Sequence, residues 1–123
     1  MFDETLNWLI STGEKEQYEM RASDSWGNYK SNKISYKTTS GNISSTSISS
    51  TTKIPSGSSE YTVANNVYDL AGNVYDWTLE AYSSSGGNGR YVRGGSCING
   101  GSGSFAANRN YTSPNDSNSY CRF

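Results

Sequence analysis

The chain contains no histidine. Its absence removes the commonest general base, the commonest metal ligand and the side chain that titrates near neutral pH. Cysteine is scarce: Cys97 and Cys121 are too few for a disulfide scaffold or a zinc site. One bridge or two buried thiols remain as alternatives. Charge of one sign is also missing. Ten basic residues against 11 acidic ones leave a formal net charge of −1 and a pI near 5.3, which excludes a bulk electrostatic nucleic-acid binder. No run approaches the roughly 18 apolar residues of a membrane span, so membrane insertion is not expected, and no basic-then-apolar leader points to export. Aliphatic residues are few as well. Hydrophobic residues make up 33% of the chain, where an ordinary domain has roughly 45–50%.

Such a shortage often accompanies disorder. Here ten Tyr, three Trp and three Phe bring the aromatics to 13%, and a charge near zero cannot hold the chain open by self-repulsion. A length of 123 residues suits one domain. The expectation is a single domain over 1–123, a piece of a longer chain, with an aromatic core and a Ser/Asn/Gly-rich surface. This composition favours a binding module over an enzyme.

Helical signals open the chain. Asp3 can cap, Glu4 suits a first turn, Phe2, Leu6, Leu9 and Ile10 recur at helical spacing, and Gly13 is a stop. Trp8 lies on the flank of that stripe. Glu14 to Met20 reads as a short helix or a polar connection, and Asp24 to Asn32 as a turn-rich link around Trp26 and Tyr29. Lys33 to Lys37 alternates as a short strand. Residues 38–59 read as a Ser/Thr-rich surface excursion in the manner of a loose hairpin, whose Ile43, Ile48 and Ile54 are too sparse for a core. A glycosylated or adhesive stalk is the alternative for this stretch. From Tyr75 to Glu80 the period becomes two, with Tyr75, Trp77 and Leu79 inward and Asp76, Thr78 and Glu80 outward. A turn over Ser83 to Gly89 and a second strand over Arg90 to Ser96 complete an antiparallel hairpin.

The run Asn66-Val67-Tyr68-Asp69-Leu70-Ala71-Gly72-Asn73-Val74-Tyr75-Asp76-Trp77-Thr78, followed by Arg93-Gly94-Gly95-Ser96, Arg109, Pro114 and Arg122, resembles the signature of the formylglycine-generating enzyme, or sulfatase-modifying-factor, family. The likeness covers residues 61–123 well, and residues 2–12 resemble the helix that precedes this half in related bacterial proteins. It implies an α+β class and the C-type-lectin-like fold, chiefly its C-terminal part: one N-terminal helix, short antiparallel strands and long irregular loops. Gly72 permits a tight reversal, Asn73 ties its amide to nearby backbone, and Trp77 supplies a core wedge. Arg93 and Arg109 reach backbone carbonyls, and Gly94-Gly95 allows close backbone passage. All of these read as structural.

The family's oxidases, as the resemblance implies, bind copper with a closely spaced cysteine pair just after the Gly-Gly-Ser turn. Here Cys97 follows Ser96, but the next cysteine is Cys121, where the family usually has Phe. The copper motif is not matched, so no catalytic residue is expected. Asp69, Asp76 and Glu80 as paired glycosidase-type carboxylates are set aside, because Asp76 and Glu80 lie on the outward face of a strand, where carboxylates are ordinarily solvated. A structural calcium stays open because the fold often binds it, but Ser113-Pro114-Asn115-Asp116 lacks the Glu or Gln of a calcium-dependent carbohydrate motif. No other cofactor is expected.

The segment 97–120 resembles the variable region of proteins diversified by retroelements, whose C-type-lectin-like domain ends in residues reached by mutating adenine-containing codons. Its Tyr, Ser, Gly and Asn are also the residues of antibody loops. The candidate ligand-binding residues are Ile98, Asn99, Ser102, Phe105, Asn108, Asn110, Tyr111, Ser113, Asn115, Asp116, Asn118 and Tyr120, with Phe105, Tyr111 and Tyr120 as aromatic anchors. The function expected is a non-catalytic ligand-binding domain of a bacterial or phage surface protein, recognising a protein or glycan on another cell. The cell surface, the secreted fraction or a virion is its expected place. A degenerate oxidase and a structural virion or surface module are the rivals.

Overall fold

The helical stripe forms as expected. Helix α1 spans Phe2–Ser11 and buries Leu6 and Leu9, with Phe2 and Ile10 packed beside them. Asp3 does not cap it: the N-cap is Met1, without a side-chain bond, and the Asp3 carboxylate instead pairs with Arg93. At the other end Gly13 adopts φ +74°. Its N–H donates to Ile10 O and that of Glu14 to Leu9 O, at 3.0 and 3.1 Å, a Schellman stop that glycine accommodates without strain. This computed structural model describes residues 1–49, 52–84, 87–115 and 119–122.

Two 3₁₀ turns follow, at Gln17–Met20 and Ser23–Ser25. Strands β1 (Lys33–Lys37) and β2 (Ile43–Ser47) then pair antiparallel. Next, β3 (Val63–Ala64) and β4 (Val67–Tyr68) form a small hairpin. Its corner, Asn65-Asn66, holds φ +47° and +63°, the left-handed pair that a two-residue turn demands and asparagine tolerates. The main sheet has four strands: β5 (Tyr75–Ser84), β6 (Gly87–Arg93), β7 (Arg109–Thr112) and β8 (Cys121–Arg122). Their order is β7-β6-β5-β8, and only β8 runs parallel to its neighbour. The class is α+β.

The expected hairpin is present but longer. β5 continues to Ser84 and β6 starts at Gly87, so most of the expected 83–89 turn is strand, and β6 ends at Arg93 instead of Ser96. A bulge between Trp77 and Ala81 breaks the β5 alternation. Leu79, expected inward, is consequently 97% exposed. Trp77 is half-buried, so the deep aromatic wedges are Trp26 and Tyr29, at 2% and 0% exposure, from the link expected to be mere turns.

Two cores result. The larger gathers Leu6, Leu9, Met20, Trp26, Tyr29 and three alanines. The smaller gathers Ile34, Ile48, Ile54 and Cys97. This second cluster corrects the reading of residues 38–59: their isoleucines are sparse in sequence, yet Ile48 and Ile54 converge on Ile34 from β1. Only Ile43 stays outside, at 75% exposure.

Candidate functional site

The frame centres on Asn73, which is buried at φ +62°. Its amide Nδ2 donates to Ile54 O at 3.0 Å, while Oδ1 accepts from Ile54 N and Asn28 Nδ2 at 3.1 and 3.0 Å. Its backbone N–H donates to Asn28 O at 2.8 Å and its carbonyl accepts from Cys97 N at 3.0 Å. One side chain thus joins three segments distant in sequence, which is the role its family motif implied. Gly72 and Gly95 are glycines for a steric reason. A Cβ at Gly72 would strike Asn28 O, and one at Gly95 would strike Ser104 O. At Gly94 it would stand 3.1 Å from Leu70 O. Backbone passage at both glycines after Arg93 is therefore close, as expected.

Arg93 and Arg109 are register partners on β6 and β7, and they behave differently. Arg93 is buried at 5% exposure, donates to Ala107 O at 3.3 Å, pairs with Asp3 and lies over the Phe2 ring. Burial pulls its pKa below the usual arginine value. Arg109 is exposed and binds Glu80, with its guanidinium 3.8 Å from the centre of the Tyr91 ring. The expectation that Arg109 braces backbone is corrected: it belongs to a surface cluster. The bracing arginine is Arg122, which donates to Asp76 Oδ1 at 2.6 Å, to Asp69 O at 3.1 Å and to Ser56 Oγ.

The three carboxylates set aside as a catalytic set divide accordingly, and Asp76, expected to be solvated, is corrected. Asp69 is 1% exposed and its Oδ2 accepts from Gly57 N at 2.9 Å. Asp76 is half-buried, and burial pushes its carboxyl above the ordinary value although Arg122 draws it down. Glu80 alone lies on the surface, held by Arg109.

Residues 97–120 do not form one surface. Cys97, Gly101, Ser104 and Ala106 are buried. Gly101 N donates to Asp24 Oδ1 at 2.6 Å, Ala106 N to Ser23 Oγ at 2.9 Å, and Ser104 Oγ bonds Tyr75 Oη at 2.9 Å. This stretch is stapled onto residues 19–32. Of the expected ligand contacts within it, Asn99 and Ser102 are exposed, whereas Ile98, Phe105 and Asn108 are half-buried. Asn110, Tyr111 and Asn115 are exposed and Ser113 is half-buried. Asp116 and Asn118 lie outside the described residues. Tyr120 is half-buried against the second core with Lys53 4.6 Å from its ring centre. It precedes β8, at the opposite sheet edge from Tyr111 on β7. Tyr111 and Tyr120 therefore do not share a face.

What Tyr111 does share is a cluster that its own segment did not reveal. The Tyr82 ring stacks on it, with centres 3.9 Å apart and planes 9° apart, and meets Tyr91 edge-on at 5.5 Å. Three strands contribute these rings. The middle strand leaves room because residue 89 is glycine: a Cβ there would stand 3.2 Å from the Tyr82 ring. Tyr82 consequently lies across β6 to reach β7. The period-two spacing of Gly89, Tyr91 and Arg93, beside that of Arg109 and Tyr111, was the available signal. It puts all five on one sheet face.

The two thiols occur as free cysteines. Cys97 is fully buried in the isoleucine cluster. Burial pushes both thiols up, which opposes the thiolate that a soft metal requires. The residues present do not fit the family's copper pair. No group of three or more acidic or cysteine side chains is placed to hold a metal ion among the described residues.

A family model, the sulfatase-modifying factor enzyme 1-like domain, matches residues 6–123. The chain belongs to that family. Its single helix and short, mostly antiparallel strands agree with the C-type-lectin-like fold of such domains. No match is found among curated proteins or solved structures. Membership of this sulfatase-modifying-factor family extends the resemblance of residues 61–123 to nearly the whole chain, the second core included.

Proposed function

We propose that this domain is a non-catalytic ligand-binding module that presents the β5–β7 face to a partner on another cell surface. The observation that carries the reading is the Tyr82–Tyr111 stack, with Tyr111 54% exposed on an edge strand. Exposed, mutually fixed tyrosines supply contact area at small entropic cost, as they do in antibody loops. The buried frame supports the same reading, because the bonds of Asn73 and the close passages at Gly72 and Gly95 hold the chain without using the three tyrosines. Asn99, Ser102, Asn110 and Asn115 add exposed polar groups. The finer reading, diversification by a retroelement, draws support from these exposed positions. It is limited to them, since changes at Cys97, Ser104 or Ala106 would disturb buried packing. An imperfect repeat of the codons for 97–115 in neighbouring DNA, differing at adenines, is its test.

The purified domain, fluorescently tagged, is expected to label intact bacterial cells in flow cytometry. Tyr111→Ala is expected to abolish labelling with an unchanged melting temperature. Equal labelling by both proteins overturns the reading. The oxidase rival is tested by incubation with a cysteine peptide and copper. The account expects an unchanged peptide mass; conversion of the thiol to an aldehyde refutes it.

A further inference from the structure

We infer that the tyrosine face is a subsite for an uncharged glycan, read through ring stacking and without a metal ion. This deepens the proposed binding function and rests on it. Tyr82, Tyr91 and Tyr111 form one cluster held by contact at 3.9 and 5.5 Å; Tyr82 covers one face of Tyr111 and Arg109 lies over Tyr91, so the ring face left for a ligand is the outer face of the exposed Tyr111. Ring faces carry partial negative charge, and the apolar face of a pyranose presents a row of weakly positive C–H groups that match it. Sugar hydroxyls then need planar polar partners at the rim. The exposed Arg109 and the Glu80 it pairs with stand beside Tyr91 on this face. Both supply donors and acceptors in fixed positions.

Charge decides against an anionic or cationic ligand. Arg109 is paired with Glu80, Arg93 with Asp3, and Asp76 with Arg122. The described charged side chains of this face are matched, so it offers no net charge to attract a sialylated, phosphorylated or basic partner. Extent argues against a protein. A protein interface centres on a desolvated apolar cluster within a broad patch, whereas here Leu79 and Met1 alone among the described large exposed apolar side chains join Tyr111 near the groove, and Trp8, Tyr18 and Ile43 sit on separate elements. A groove of about 490 Å³, lined in part by Trp77 and Leu79, continues from Glu80 and Arg93 to Phe2 of α1. That volume is within the range of small-ligand sites, so the platform and groove together accommodate several sugar units in a row.

The test uses the whole domain on intact cells and on soluble neutral oligosaccharides (gluco-, manno- and N-acetylglucosamine hexamers), read by labelling and by tyrosine fluorescence. Periodate treatment of the cells is expected to abolish labelling and protease treatment to leave it. Tyr111→Ala is expected to weaken binding roughly ten-fold or more. Gly89→Val, which removes no ring but displaces Tyr82, is expected to do the same. Ser45→Ala, exposed on β2 in a separate sheet, should change nothing and controls for folding. Labelling lost with protease but kept after periodate overturns the glycan inference and leaves the binding function standing, with a protein as partner. Stronger binding to anionic than to neutral glycans also overturns it. Absence of labelling on every cell type together with no response to any hexamer defeats both.

Discussion

The loop from Cys97 to Ala107 and the strand from Arg109 to Thr112 are neighbours in one polar stretch without regular periodicity, yet one is woven into the core and the other stands in solvent. The difference lies in hydrogen-bond closure. In the loop, backbone and hydroxyl groups are answered by Ser23, Asp24, Met20 and Tyr75. In the strand, one backbone edge is answered by β6 and the side chains face outward on both sides. Polar composition therefore says little about exposure in this chain. What decides is whether each polar group meets a fixed partner, because a buried group left unanswered costs about 1–3 kcal/mol.

Breaking the buried side of the comparison should have the largest effect. Gly95→Val is expected to prevent folding, since the Ser104 carbonyl already occupies the space a side chain would need; circular dichroism with no cooperative melt is the expected result. Asn73→Ala should follow, at about 3 kcal/mol or more of lost stability by urea unfolding, because it orphans Ile54 and Asn28 groups together. Ser104→Ala removes one buried bond and should cost about 1 kcal/mol.

A smaller effect sharpens the frame's electrostatics. Burial raises the Asp76 carboxyl above 3.8. A raised folded-state carboxyl binds its proton more tightly in the native protein, so its penalty is full above the folded value and vanishes as pH falls through it. Compared with Asp76→Asn, the wild type should gain stability as pH drops from neutral towards 3.8, measured as the difference between paired unfolding curves. At the exposed extreme, Ser102→Ala should shift stability by no more than about 0.5 kcal/mol.

Much of the frame was legible from short signals with a geometric meaning. The α1 stripe, the Gly13 stop, β1 at Lys33–Lys37 and the roles of Gly72, Asn73 and Arg93 follow from periodicity or motif. The second core was not, because Ile34, Ile48 and Ile54 converge only after the chain has paired β1 with β2 and returned. The inward placement of Leu79 failed at a bulge, which no alternation pattern announces. Arg109, expected to brace backbone, lies on the surface and Arg122 reaches backbone in its place, because depth, and not residue type, sets what an arginine meets. The candidate site was legible in part. Tyr111 is exposed as expected, whereas Tyr82, Tyr91 and Gly89 became visible only through the three-strand register.

The central claim is that the frame and the tyrosine face are separable. Paired measurement of cell labelling and thermal melt for Tyr111→Ala tests it most directly. The account predicts labelling lost with the melting temperature held within about 2 °C. A variant that melts several degrees lower while labelling falls only in proportion to the folded fraction would contradict it.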